Sequence, residues 1–194
     1  MSITKIKKKI IFYIFILPQI LKYKFLSTAN IIIGKPTINQ AVQCNGLGTI
    51  HFKNNVTLGI EISPLFYSSY IYIEARNPQS KVTIGENTFI NNNCIIIAEG
   101  EGIDIASNCL IGINCEITDS DFHNLKTDMR LSTTGIQTKK VILEENVFVG
   151  SNVKILKGVT IGKNSVIANS SVVTKSIPPN VIAGGVPAKI LKNL

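Results

Sequence analysis

A chain of 194 residues, 45% hydrophobic and only 16% charged, accommodates one ordinary domain with a sizeable core and excludes both disorder and a pair of independent catalytic domains. The net charge of +8 would suit a nucleic-acid partner, but Lys5, Lys7, Lys8, Lys9, Lys22 and Lys24 supply +6 of it and leave +2 for everything after residue 26. With the basicity gathered in a tail, and no basic stripe of interleaved aromatics, zinc spacing or helix-turn-helix pattern in the body, no nucleic-acid partner is expected.

Residues 1–26 are predicted to be helical. Lys7 to Lys9 followed by Ile10 to Leu17 resembles the opening of a signal peptide, yet no small-residue cleavage site follows. Pro18, Gln19, Lys22 and Lys24 cut the apolar run well short of the roughly 20 residues that span a bilayer. The favoured expectation is a helix packed over the open end of the core. Its rival is an interfacial helix at the anionic inner face of the membrane, which Phe12, Tyr13, Phe15, Tyr23 and Phe25 between basic flanks would suit.

The body, residues 27–178, is organised by a period of six. Leu143, Val149, Ile155, Ile161, Ile167 and Val173 follow one another at that spacing, as do Ile84, Ile90, Ile96 and Ile105, Ile111, Ile117. Ile, Leu and Val make up 60 of the 194 residues, so six consecutive hits in a chosen frame arise by chance about once in a thousand trials. The next residue is often small, as at Gly85, Gly112, Gly150, Gly162 and Ala168, which marks a corner. Four residues after each aliphatic one comes a second inward position, occupied by Thr88, Cys94, Cys109, Cys115, Val147, Val153, Val159, Ser165 and Ser171.

One short strand and one corner per hexapeptide close a triangular coil every three repeats, and stacked coils pair as parallel strands about 4.8 Å apart. The predicted fold is therefore all-β, a prism of stacked coils. Segments near Ile33-Gly34 and Leu58-Gly59 read as imperfect coils, interrupted around Ile60 to Asn77. The repeat is expected to stop at Ile177-Pro178-Pro179, because proline has no N–H for the ladder, with residues 179–194 folding back over the last coil. Three of the four cysteines, Cys94, Cys109 and Cys115, occupy the second inward position. Together with Cys44 they read as small core residues of a protein in the reducing cytoplasm.

The main break runs from about His123 to Val141. Continuing the frame of Ile105, Ile111 and Ile117 would drive Asp121 and His123 into an apolar prism, which would not accept both without partners. The chain is expected to leave the coil here and present Asp119, Asp121 and His123 at an outer corner. Imidazole titrates near neutrality, and an adjacent carboxylate fixes its tautomer, which suits His123 to take a proton from a hydroxyl.

The segment Ile117-Thr118-Asp119-Ser120-Asp121-Phe122-His123 resembles the catalytic-histidine segment of the hexapeptide-repeat sugar and polysaccharide O-acetyltransferases. Val147-Phe148-Val149-Gly150-Ser151-Asn152-Val153, Gly158-Val159-Thr160-Ile161-Gly162, Val172-Val173-Thr174-Lys175 and the run from Ile177 to Lys189 follow in the family's order. The resemblance covers residues 80 to 194 and is loose before residue 75. It implies a left-handed winding, against the usual crossover rule. It also implies acetyl-CoA as co-substrate, no metal, and a homotrimer whose sites lie between subunits.

Residue by residue, the resemblance implies that His123 is the general base of a direct transfer, supported by Asp121. Asn93 would contact the acceptor, with Asn91 as a competitor. The Ser151 amide would meet the thioester, and Asn169 stands where the family commonly has alanine beside the pantetheine arm. Thr174, Lys175 and Lys192 would lie near the CoA nucleotide, where ammonium complements phosphate. The loop 124–140 would help shape an acceptor pocket.

The acceptor expected from this segment and the amino-terminal tail is a sugar hydroxyl of a bacterial surface polysaccharide or its precursor, with a small antibiotic, a free sugar or the amine of a nucleotide-linked amino sugar as alternatives and a non-catalytic scaffold or binding protein as the rival of another class. A carbonic anhydrase of this fold would need three histidines around a metal, and the chain has His51 and His123 alone.

Overall fold

The computed structural model describes residues 3–194, with side chains from Ile6 onward. The body is a left-handed parallel β-helix whose three faces are three parallel sheets. The first face stacks Ile31–Ile33, Thr49–Phe52, Lys81–Ile84, Ile103–Ile105, Val141–Leu143 and Thr160–Ile161. The second stacks Thr37–Ile38, Thr57–Leu58, Phe89–Ile90, Leu110–Ile111, Phe148–Val149 and Val166–Ile167, then Val181–Gly185 and Ala188–Asn193. The third stacks Val42–Asn45, Ile71–Ala75, Ile95–Ala98, Glu116–Thr118, Lys154–Ile155 and Val172–Val173. Ile142 pairs with Thr160, Phe148 with Val166 and Lys154 with Val172, so one coil consumes three hexapeptides.

The aliphatic column from Leu143 to Val173 is at most 1% exposed and fills the prism axis. Burying each such side chain contributes about 1.5–3 kcal/mol against the entropy of ordering its coil. The second inward position solves a different problem. Cys94 Sγ donates to the Gly112 carbonyl (3.1 Å), Cys109 to Glu144 (3.2 Å), Cys115 to Gly150 (3.0 Å), Thr88 Oγ1 to Ala106 (3.0 Å) and Ser165 Oγ to Pro178 (2.7 Å). Each satisfies a corner carbonyl of the next coil, which is why Cys, Ser and Thr alternate there with valine. Burial pushes the Cys44 thiol up to about 12 and Cys109 up to about 11, which keeps these groups protonated.

Most corners turn through a residue with positive φ, and asparagine fills that place with a mutual hydrogen bond. Between the first and second faces Asn146 Nδ2 reaches Asn164 at 3.0 Å and Asn164 reaches Asn180 at 2.8 Å. Between the second and third faces Asn93, Asn114 and Asn152 form a second column, at 2.6 and 2.8 Å.

Two expectations change. The amino-terminal helix, Ile3–Ile11 and Leu17–Leu26 joined by the π-helical turn Phe12–Ile16, covers the end of the prism only in part. It lies against Val42–Asn45, with Tyr23 stacked on Tyr70 at 4.0 Å and the Gln19 amide donating to the Tyr67 carbonyl. The π turn precedes Pro18, which has no N–H to return to the Ile14 carbonyl. The first strand, Ile31–Ile33, remains 45–49% exposed.

At the other end, Pro178 and Pro179 do not terminate pairing. They sit in a corner, where Pro178 accepts from Ser165 and no ladder N–H is missed, and Val181–Gly185 then adds one more parallel strand beside Val166–Ile167. The parallel stack ends when Ala188–Asn193 turns back antiparallel on Val181–Gly185.

Candidate active site

Two excursions leave the coils, one from each edge of the third face. The first, residues 59–70, departs between the second and third faces. It is stapled by Asn92, fully buried, whose Nδ2 donates to the carbonyls of Ile60 (3.0 Å), Ser63 (3.2 Å) and Pro64 (2.8 Å) while its Oδ1 accepts from the Ile60 N–H (3.0 Å). The second, residues 119–140, departs between the third and first faces. Its base is a short antiparallel stem in which Ser120 bridges Thr138, the Asp121 N–H donates to the Gln137 carbonyl and the Lys139 N–H to the Asp119 carbonyl.

Asp119 is not at an outer corner, as expected, but fully buried. Its carboxylate accepts the N–H groups of Glu99 (2.6 Å), Gly100 (3.1 Å) and Gly102 (2.7 Å) in the preceding coil. Three charge-assisted bonds offset its desolvation and lock the stem to the prism. Ser120 Oγ donates to Glu99 and accepts from the Phe122 N–H.

Phe122 has a φ of +59°, a conformation that costs an aromatic residue about 1–2 kcal/mol, and the Arg76 guanidinium lies 4.9 Å from its ring. Arg76 is itself held by Glu74 at 3.0 Å and Glu99 at 3.4 Å. The backbone is thereby bent so that His123 stands exposed at the edge, its Nδ1 3.1 Å from the Arg130 carbonyl. A carbonyl only accepts, so Nδ1 carries the proton and Nε2 presents its lone pair.

Asp121 is not the group on the imidazole. Its Oδ1 pairs with Lys157 at 3.1 Å, and its buried Oδ2 has no hydrogen-bond partner among the described residues.

On the opposite edge stand Asn93, Ser151 and Asn169. The Asn93 side chain belongs to the asparagine column, donating to Asn114, and its N–H donates to Gln40. Asn91 donates to Ser63 of the first excursion. The Ser151 N–H donates to Asn169 Oδ1 at 2.8 Å, so the donor assigned to the thioester is covered by a side chain of the same protomer. A Cβ at position 150 would meet that Oδ1 at 2.3 Å, which explains the glycine before Ser151.

Thr174 and Lys175 are exposed at the third–first edge with His123, and Lys192 lies on the returning strand opposite Ile182. Apart from Lys192, the predicted residues thus fall into two groups on the two edges of one face, and a single prism does not bring them together. Arg76, Lys157 and the Arg130 carbonyl were not anticipated, being distant in sequence or backbone. The asparagine column was readable, since Asn87 and Asn93, Asn108 and Asn114, and Asn146 and Asn152 are each six apart.

A hexapeptide prism with a histidine on an inserted loop defines a class, and comparison with known proteins places the chain within it. Residues 140–175 match the family model "Bacterial transferase hexapeptide (six repeats)". The galactoside O-acetyltransferase of Escherichia coli is 35% identical over 69% of this chain and 60% of its own length. WbbJ of Escherichia coli, whose name assigns it provisionally as an O-acetyl transferase of lipopolysaccharide biosynthesis, is 30% identical over 75% of this chain and 72% of its length. A Vibrio cholerae hexapeptide-repeat acetyltransferase, solved with acetyl coenzyme A, superposes with a TM-score of 0.57 at 27% identity, over 90% of this chain and 75% of that one. The chain belongs to the hexapeptide-repeat O-acetyltransferase family. It spans 59–62% of the length of several curated relatives, the galactoside enzyme among them.

Proposed function

We propose that the protein is an acetyl-CoA-dependent O-acetyltransferase acting on a sugar hydroxyl of a surface polysaccharide or its precursor, with His123 as general base. The observation that carries this reading is the bond between His123 Nδ1 and the Arg130 carbonyl, which leaves Nε2 free to accept a proton at an exposed edge.

In this reading Nε2 takes the hydroxyl proton as the acceptor oxygen attacks the thioester carbonyl. The tetrahedral intermediate then collapses with cleavage of the C–S bond, and the imidazolium returns its proton to the leaving CoA thiolate. The four cysteines are buried in the prism, away from the edge that presents His123, and take no part. The Ser151 N–H is the donor suited to the oxyanion, and Asn169 turns aside for an acyl oxygen to reach it. Thr174 and the ammonium groups of Lys175 and Lys192 would hold the CoA phosphates.

The separation of the two residue groups supports a homotrimer in which one protomer supplies His123 and Asp121 and its neighbour supplies Ser151 and Asn169. An apolar row on the second face, Phe89, Leu110 and Phe148, in register and 40–47% exposed, suits side-by-side packing of prisms. The surface-polysaccharide acceptor is supported by the likeness to WbbJ and by the basic, apolar amino-terminal segment, which fits peripheral attachment at the inner face of the membrane. Among the described residues no helix is long and apolar enough to cross it.

The test is His123→Ala and His123→Gln in an acceptor screen that follows free CoA thiol. Both variants should lose roughly 10²–10⁴ in kcat while keeping acetyl-CoA binding and melting temperature. Undiminished turnover by either variant excludes the mechanism, and turnover of antibiotics or amino sugars alone excludes the polysaccharide reading.

A further inference from the structure

At the amino-terminal end of the prism a cavity of about 580 Å³ lies between Leu17–Leu26 and the first coils. Ile20, Ala29, Ile32, Ile38, Val42 and Leu58 are among its walls, and Lys24 and Lys35 lie in the same lining as its charged groups. Water inside would find few polar partners, and the volume has room for on the order of a dozen methylene groups, each about the 30 Å³ of a liquid water.

The charge around it is one-sided. No acidic residue precedes Glu61, so the first 60 residues carry Lys5, Lys7, Lys8, Lys9, Lys22, Lys24, Lys35 and Lys53 and hold the whole +8, while residues 61–194 balance twelve basic against twelve acidic groups. Phe12, Tyr13 and Phe15 of the π turn, and Leu21 and Phe25 of the helix that lines the cavity, are exposed. An apolar chamber whose only charged lining residues are two lysines suits an alkyl or isoprenyl chain carrying a phosphate head.

We propose that this chamber is a lipid-chain site that takes the hydrocarbon of an anionic membrane lipid, with Lys24 and Lys35 on its phosphate and the exposed apolar residues of the helix against the bilayer surface. The proposal deepens the membrane-facing part of the function above and is independent of acetyl transfer.

Calorimetric titration of the full chain with dodecyl phosphate below its critical micelle concentration tests it, with dodecanol and inorganic phosphate as controls. One saturable site per chain is expected for dodecyl phosphate, at least tenfold weaker binding for dodecanol and none for phosphate. Ile32→Trp and Ile38→Trp, both at half-exposed positions whose replacement should leave the fold's melting temperature unchanged, fill the chamber and should each weaken dodecyl phosphate at least tenfold. Lys24→Glu combined with Lys35→Glu should do the same without affecting dodecanol.

Absence of a saturable site, or equal affinity in the filled variants, overturns the proposal. Flotation with phosphatidylglycerol vesicles separates the two claims: saturable dodecyl phosphate binding without flotation supports the chamber and sinks peripheral attachment.

Discussion

The two edges of the third face are built from the same repeat and do opposite things with it. At the second–third edge the asparagine column runs on regularly past the short excursion of residues 59–70. What it offers a ligand is backbone: the Ser151 N–H, aimed by the turn and covered by Asn169. At the third–first edge the column is absent, and a long excursion supplies what a repeat cannot, a histidine outside the core on a backbone bent at Phe122. Repetition positions main-chain donors cheaply, because every rung reinforces the next. A polar side chain carried clear of the core requires the rung to be broken and the break to be braced.

Asp119 is that brace, and its removal is the sharpest way to break the contrast. Asp119→Ala should strand three N–H groups, that of Gly102 buried and those of Glu99 and Gly100 partly so, and cost roughly 3 kcal/mol, lowering the melting temperature by on the order of 10 °C and kcat with it. Asp119→Asn, which retains an acceptor, should cost about half as much. A fall in kcat without any loss of stability would show that Asp119 acts on chemistry directly.

At the opposite edge the expected effect is smaller and of opposite sign. Asn169→Ala uncovers the Ser151 N–H and should lower the KM for acetyl-CoA about threefold with kcat little changed, since a ligand no longer competes with an internal acceptor. A raised KM would make the Asn169 amide a ligand-binding group in its own right.

The smallest effect probes the column alone. Asn114 adopts a φ of +61° and bonds both neighbours, so Asn114→Ala should cost about 1–2 kcal/mol and Asn114→Gly less, read as melting shifts of a few degrees at unchanged activity.

The coils were legible because the inward column recurs every sixth residue, and the second excursion because His123 would otherwise fall on that column. What escaped the sequence are contacts whose partners lie one rung away in space but far along the chain. Asp119 read as an exposed acid because the three N–H groups that bury it come from residues 99–102. Asp121 read as the partner of His123 because it is two residues away, whereas its ion pair is with Lys157, one coil later. Asn93 was singled out as a substrate ligand, yet Asn114 and Asn152 repeat its geometry in the coils that follow. The partly open amino end was hidden for another reason: an apolar helix beside an apolar core reads as a complete lid, whereas it seats on Val42–Asn45 and leaves a cavity over Ile32 and Ile38.

The strand that turns back at the carboxy end has a consequence for assembly. A stack of parallel coils is in principle endless, since its last rung offers the next chain the same unpaired edge that built it. Ala188–Asn193 reverses direction on that rung and carries Lys189 and Lys192, so a further strand could pair there only by crowding ammonium groups against its own backbone. Addition of a further strand on the second face is thereby discouraged.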